Sequence, residues 1–138
     1  MTTAGTLNIL LIEDEELQQL NVRRALEKAG IKWPLFVASD GAEALELLRS
    51  GQVPPRRLVL LDVHMPRMDG LEFLRQLRAD PALKPMVVVM LSTSDEEADK
   101  RAAQALNVGG YLLKSMDFPK FVGQLQVLNQ YWSMMEIP

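Results

Sequence analysis

The apolar residues of this chain fall into two rhythms. Nearly unbroken apolar runs occupy residues 7–12 (LNILLI), 35–38 (LFVA), 58–61 (LVLL) and 86–91 (MVVVML), and a shorter one covers 111–113 (YLL). Such runs suit strands covered on both faces, whereas a strand with one wet face alternates apolar and polar positions. The stretches between them carry apolar residues three and four apart. Residues 15–29 read as a helix with Val22, Ala25, Leu26 and Ala29 inward and Gly30 past its end. Ser39, Asp40 and Gly41 open a second helix that runs through Leu48 and closes around Gly51, capped by the Ser/Asp pair. A third follows Gly70, carries Leu71, Leu74 and Leu77, and ends in Arg78-Ala79-Asp80-Pro81. Asp95, Glu96 and Glu97 suit the first turn of a fourth, which runs to about Asn107 before Gly109 and Gly110. A last helix is expected over residues 118–134.

Five apolar strands alternating with five helices predict an α/β fold: a doubly wound, five-stranded parallel sheet with helices on both faces. Right-handed crossovers leave few topologies. Strand order 2-1-3-4-5 sets the ends of strands one and three side by side at the switch point, where such sheets bind ligands.

A length of 138 residues suits one domain over 1–138, with residues 1–6 as a small, polar, disordered tail. The net charge of -3 argues against a nucleic-acid partner. There is no cysteine, which excludes disulfides, thiol nucleophiles and zinc–thiolate sites, and the one histidine, His64, excludes a multi-histidine metal site. No apolar run approaches the ~20 residues of a membrane span, and the amino terminus does not resemble a signal peptide. A cytoplasmic protein with no membrane partner is expected.

The chemistry collects at the strand ends. Glu13 and Asp14 follow the first strand, Asp62 the third, Ser92 the fourth and Lys114 the fifth. Taken singly, Asp62 could be a loop starter, Ser92 a turn residue and Lys114 an ordinary surface lysine. Brought together, three carboxylates repel one another and call for a cation. Hard oxygen donors suit Mg²⁺, which commonly takes one or two carboxylates plus phosphate oxygens. A carboxylate beside that ion, faced by an ammonium and a hydroxyl, is built to accept a phosphoryl group as nucleophile.

These residues, with the DVHMPRMDG stretch from Asp62 to Gly70, resemble the receiver domains of two-component response regulators from residue 7 to about 130. The resemblance implies that Asp62 is the phosphoacceptor. It implies that Asp14 and Asp62 bind Mg²⁺ directly, with Glu13 acting through water and the backbone carbonyl of His64 as a further ligand. Ser92 would be the switch hydroxyl and Tyr111 the aromatic whose rotamer follows it, although a strand tyrosine also serves as plain packing. The His64 ring and Ser94 would sit at the rim of the pocket. Ser115 departs from the family, which usually has a proline in cis after the lysine. A cis bond before a non-proline residue costs ~3–4 kcal/mol, so the loop is expected to be trans or strained.

The chain stops after the last helix, so output is expected through surface contacts rather than an attached domain, and the protein is not expected to be an enzyme beyond turning over its own phosphoryl group. Phe118, Phe121, Val122, Leu125, Leu128 and Trp132 form one wide stripe on that helix, and Val127, Tyr131, Met134 and Met135 extend it. A homodimer through residues 117–138 is expected, with Phe121, Leu125 and Trp132 in the contact. The ending resembles that of single-domain regulators paired with bacterial and cyanobacterial phytochrome kinases. Leu17 and Leu20 lie off the inner face of the first helix and are expected to dock a sensor histidine kinase, here a bacteriophytochrome. The competing reading is a pseudo-receiver, a constitutive interaction module, which would be free to lose members of the set Glu13, Asp14, Asp62, Ser92 and Lys114. A flavodoxin-like cofactor binder would need a phosphate loop where the acids stand, and a phosphatase a second acid two residues after Asp62.

Overall fold

The computed structural model describes residues 6–62, 70–92, 101, 104–135 and 137. The strands are β1 (Asn8–Ile12), β2 (Leu35–Ala38), β3 (Arg57–Asp62), β4 (Val87–Ser92) and β5 (Gly110–Leu113). The helices are α1 (Glu16–Lys28), α2 (Gly41–Arg49), α3 (Gly70–Ala79) and the terminal α4 (Phe118–Trp132). Between β4 and β5, Arg101, Gln104 and Ala105 are helical. The rest of the helix expected there, and its acidic first turn, lie outside the described residues.

All four strand pairs are parallel, as the apolar runs predict, and the order is the expected β2-β1-β3-β4-β5. Alternate residues of each strand feed two separate cores. Leu10, Ile12, Val59, Leu61, Val88 and Met90 pack with Leu45 and Leu48 of α2 and Phe73, Leu74 and Leu77 of α3. Ile9, Leu11, Leu58, Leu60, Val89 and Leu91 pack with Val22, Ala25 and Leu26 of α1 and Phe121, Val122 and Leu125 of α4. Both faces are therefore dry, which is why the strands read as continuous apolar runs.

Local chemistry sets the ends of the elements. The Asp40 carboxylate accepts from the Glu43 backbone N–H at 2.8 Å and starts α2. Gly30, with φ of +78°, closes α1 in the left-handed region. Gly109 lies so close to β4 that an added Cβ would stand 3.3 Å from the Val88 carbonyl and 3.2 Å from Val87 Cγ1. Its own N–H donates to that carbonyl at 2.6 Å. Arg78, at the end of α3, donates to the carbonyls of Lys84, Met86, Leu106 and Asn107 at 2.7–2.9 Å, tying α3 to the start of β4 and to the segment before β5.

The terminal helix corrects one expectation. Phe121, Leu125 and Trp132, expected at a contact with a second copy, are buried within their own chain. Their spacing turns them toward β3, β4 and α1, and the Trp132 indole donates to Asn129 Oδ1 at 2.6 Å. The outward apolar residues are Phe118, Val127, Tyr131, Met134 and Met135.

Candidate functional site

Pairing of β1 with β3 sets Ile12 opposite Leu61, so the residues after each, Glu13 and Asp62, arrive together at the switch point. One carboxylate oxygen each from Glu13, Asp14 and Asp62 lies within 4.8 Å of the others. Glu13 is 7% exposed, and its backbone is pinned on both sides. Its N–H donates to the Ala38 carbonyl of β2 at 3.0 Å, and its carbonyl accepts from Gln19 Nε2 of α1 at 2.7 Å. Its carboxylate also accepts from the Glu15 backbone N–H at 3.3 Å.

Lys114 follows β5 and faces the same cavity, a space of about 550 Å³ lined also by Glu13, Gln18, Asp62, Ser115 and Met116. Its ammonium donates to Gln18 Oε1 at 2.6 Å and stands 5.0 Å from the centroid of the Phe121 ring. Gln124 of α4 brackets the lysine, accepting from the Ser115 N–H and donating to the Leu113 carbonyl, both at 3.0 Å. Among the described residues no peptide bond is cis, so the Lys114–Ser115 bond is trans. The carboxamide of Gln124 anchors this loop in place of the usual proline.

The electrostatics are those of a site short of positive charge. The Glu13 carboxyl is pushed up to about 8, chiefly by burial and then by the charge of Asp62 and a hydrogen bond with Asp14. Burial lowers Lys114, against the opposing pull of Glu13 and Asp62. The site thus disfavours the charged form of Glu13, a penalty that a divalent ion would relieve. Three hard oxygen donors around one point, with negative charge in excess, fit Mg²⁺ or Mn²⁺.

The remaining expected positions fare unevenly. Ser92 is placed by its backbone as the last residue of β4, opposite Leu113. Tyr111 is half-buried against the core that contains Met90 and Phe73. His64 and Ser94 lie outside the described residues. Leu17 and Leu20 are 78% and 39% exposed. Sequence reasoning missed Gln18, Gln124 and Met116. Met116, 86% exposed, joins Leu17 on the cavity wall. Nothing in the sequence singles out Gln18 or Gln124.

Comparison with known proteins agrees with this geometry. The response regulator receiver domain family matches residues 9–126. The chain is 34% identical to the probable methanogenesis regulatory protein FilR2 of Methanothrix harundinacea, covering 90% of this chain and 82% of that one. It is equally similar, at 34%, to response regulator Rcp1 of Synechocystis, covering 90% and 87%. The crystal structure of the Mn²⁺-bound form of Rcp1 superposes with a TM-score of 0.82 at 32% identity, over 95% of this chain and 98% of that one. The phosphorylated cyanobacterial phytochrome response regulator RcpA gives 0.84 at 30% identity, over 97% and 99%. The chain belongs to the receiver domains of two-component response regulators, and it resembles phytochrome-associated members of that family.

Proposed function

We propose that this chain takes a phosphoryl group from a sensor histidine kinase onto Asp62, in a reaction that needs Mg²⁺, and signals through its own surface as a stand-alone receiver. The observation that carries the proposal is the cluster of Glu13, Asp14 and Asp62 with Lys114 on the wall of the same cavity. The phosphorylated state of RcpA and the Mn²⁺-bound form of Rcp1 support it by likeness.

In this reading a carboxylate oxygen of Asp62 attacks phosphorus in line. A P–O bond forms as the P–N bond of the phosphohistidine donor breaks, and the imidazole leaves with the electron pair. An ionised carboxylate has its lone pairs free, so no general base is required. Asp14 and Asp62 would hold the ion directly and Glu13 through water, and the receiver resemblance would add the backbone carbonyl of His64, which lies outside the described residues. When bound there, such an ion would supply positive charge for the phosphoryl oxygens. Lys114, which lines the same cavity, supplies a compact positive charge of its own. Ser92 and Tyr111 then report the phosphoryl group to the face formed by β5, α4 and the segment before β5.

Leu17 and Met116 line the cavity and, with Leu20 exposed on the same helix as Leu17, suit the helical phosphohistidine domain of a kinase, here one of the bacteriophytochrome type. Val127, Tyr131, Met134 and Met135 form a second apolar surface on and after α4 and serve a homodimer contact, a role that passes to them from Phe121, Leu125 and Trp132. The proposed site of action is the cytoplasm; among the described residues no helix is long and apolar enough to cross a membrane.

Intact-mass measurement with acetyl phosphate and Mg²⁺ tests the central step. The wild type gains one phosphoryl mass, and the gain is lost in Asp62→Asn and in chelator. No gain with any donor would support the pseudo-receiver reading instead.

A further inference from the structure

Lys114 is not left to sample the cavity. One N–H of its ammonium meets Gln18 Oε1 at 2.6 Å, and the Phe121 ring lies 5.0 Å from Nζ. Gln18 stands in the first turn of α1 beside Gln19, whose own carboxamide fixes the Glu13 carbonyl at 2.7 Å. One turn of helix thus grips both the acidic side of the cavity and its cation.

We infer that Gln18 is a positioning residue for phosphoryl transfer, holding the Lys114 ammonium over the Phe121 ring so that it faces Asp62 before the donor arrives. The inference rests on the reading of Asp62 as phosphoacceptor and adds a residue to it. Lysine is a flexible four-carbon stem, and ordering it in advance removes an entropic cost from the reaction step. Its ammonium has three donors. Gln18 takes one, and the bond need not break when phosphoryl oxygens accept the others. A neutral acceptor suits this place. A carboxylate at position 18 would add a fourth negative group to a cavity already crowded with three, and would bind the lysine in competition with the phosphoryl group.

The test uses the full chain carrying Gln18→Met, close in size but without an acceptor, alone and combined with Lys114→Met. Gln18 is only half-buried, whereas the core of α1 is Val22, Ala25 and Leu26, so the thermal midpoint should hold. Phosphoryl uptake from acetyl phosphate in saturating Mg²⁺ is followed by intact mass over a range of donor concentrations. Gln18→Met should lower the maximal rate about tenfold, the factor carried by one hydrogen bond to a charged group, with donor half-saturation little changed. In the Lys114→Met background the same substitution should change the rate less than about twofold. An equal loss in both backgrounds, or no loss in either, overturns the role of Gln18 alone. A wild type that takes up no phosphoryl group overturns the reading of Asp62 and this role with it. The contact has its own readout: Lys114→Met should shift the side-chain amide resonances of Gln18 in the NMR spectrum, and unshifted resonances would also overturn the inference.

Discussion

Glu13 and Asp62 end neighbouring strands and, with Asp14, bring carboxylate oxygens within 4.8 Å of one another, although they lie far apart in sequence. The parallel register between β1 and β3 produces the meeting, and burial, followed by the charge of Asp62, raises the Glu13 carboxyl. A fold that gathers acids at a sheet edge loses stability there unless something positive completes the cluster.

That cost gives a pH prediction. A carboxyl held at about 8 in the folded chain, against an ordinary value of 4.5, binds its proton more tightly when folded than when unfolded. Its contribution to stability is therefore full below pH 4.5 and is lost as pH rises through about 8. In chelator, the thermal midpoint should fall across this window, and Glu13→Gln should remove most of the fall. Added Mg²⁺ should raise the wild-type midpoint at pH 8 by several degrees, since ~1 kcal/mol moves Tm by roughly 3–5 °C in a chain of this size. A midpoint indifferent to both pH and Mg²⁺ would refute the electrostatic account of the cluster.

The two apolar sides of α4 should behave differently. Phe121 is fully buried, so Phe121→Ala should cost ~3–5 kcal/mol in urea unfolding. Tyr131 is 65% exposed, and Tyr131→Asp should cost no more than about 0.5 kcal/mol while weakening self-association. Sedimentation at tens of micromolar reads the second effect. A wild type that is monomeric with and without phosphorylation would remove the dimer from the account.

Arg78 should matter to the fold without touching the site. Four backbone carbonyls from two segments converge on its guanidinium. Arg78→Met leaves them to find other donors and should destabilise the chain by ~2–4 kcal/mol in urea. A loss below about 1 kcal/mol would mean that water replaces those bonds freely.

Leu17 and Leu20 should matter to the kinase alone. Charge substitution at both should abolish transfer from a cognate kinase while sparing the fold and phosphorylation by acetyl phosphate. Both are exposed, so their apolar character is spent on no core of this chain. Unchanged transfer from the kinase would refute the docking surface.

Much of this was legible in the sequence, because burial on both faces leaves an unbroken apolar signature at β1, β3 and β4. The ends of the apolar runs mark Glu13, Asp14, Asp62 and Lys114. The Asp40 cap was legible because its chemistry is local. Phe73 went unnoticed as a core residue, since the leucines around it already satisfied the helical pattern. The terminal helix was misjudged at Phe121, Leu125 and Trp132, because periodicity shows which residues share a face but not which face meets the sheet. Gln18 and Gln124 are invisible for a related reason: they act through hydrogen bonds to residues beyond their own helices, and a lone glutamine carries no periodic signal.

The central claim is that Asp62, among three crowded carboxylates, is the one that accepts the phosphoryl group. After incubation with acetyl phosphate and Mg²⁺, borohydride reduction converts an aspartyl phosphate to homoserine, and peptide sequencing by mass spectrometry then locates it. The account predicts homoserine at position 62 and at no other acid. Reduction at Glu13 or Asp14, or a phosphoryl group that survives on a serine, would contradict it.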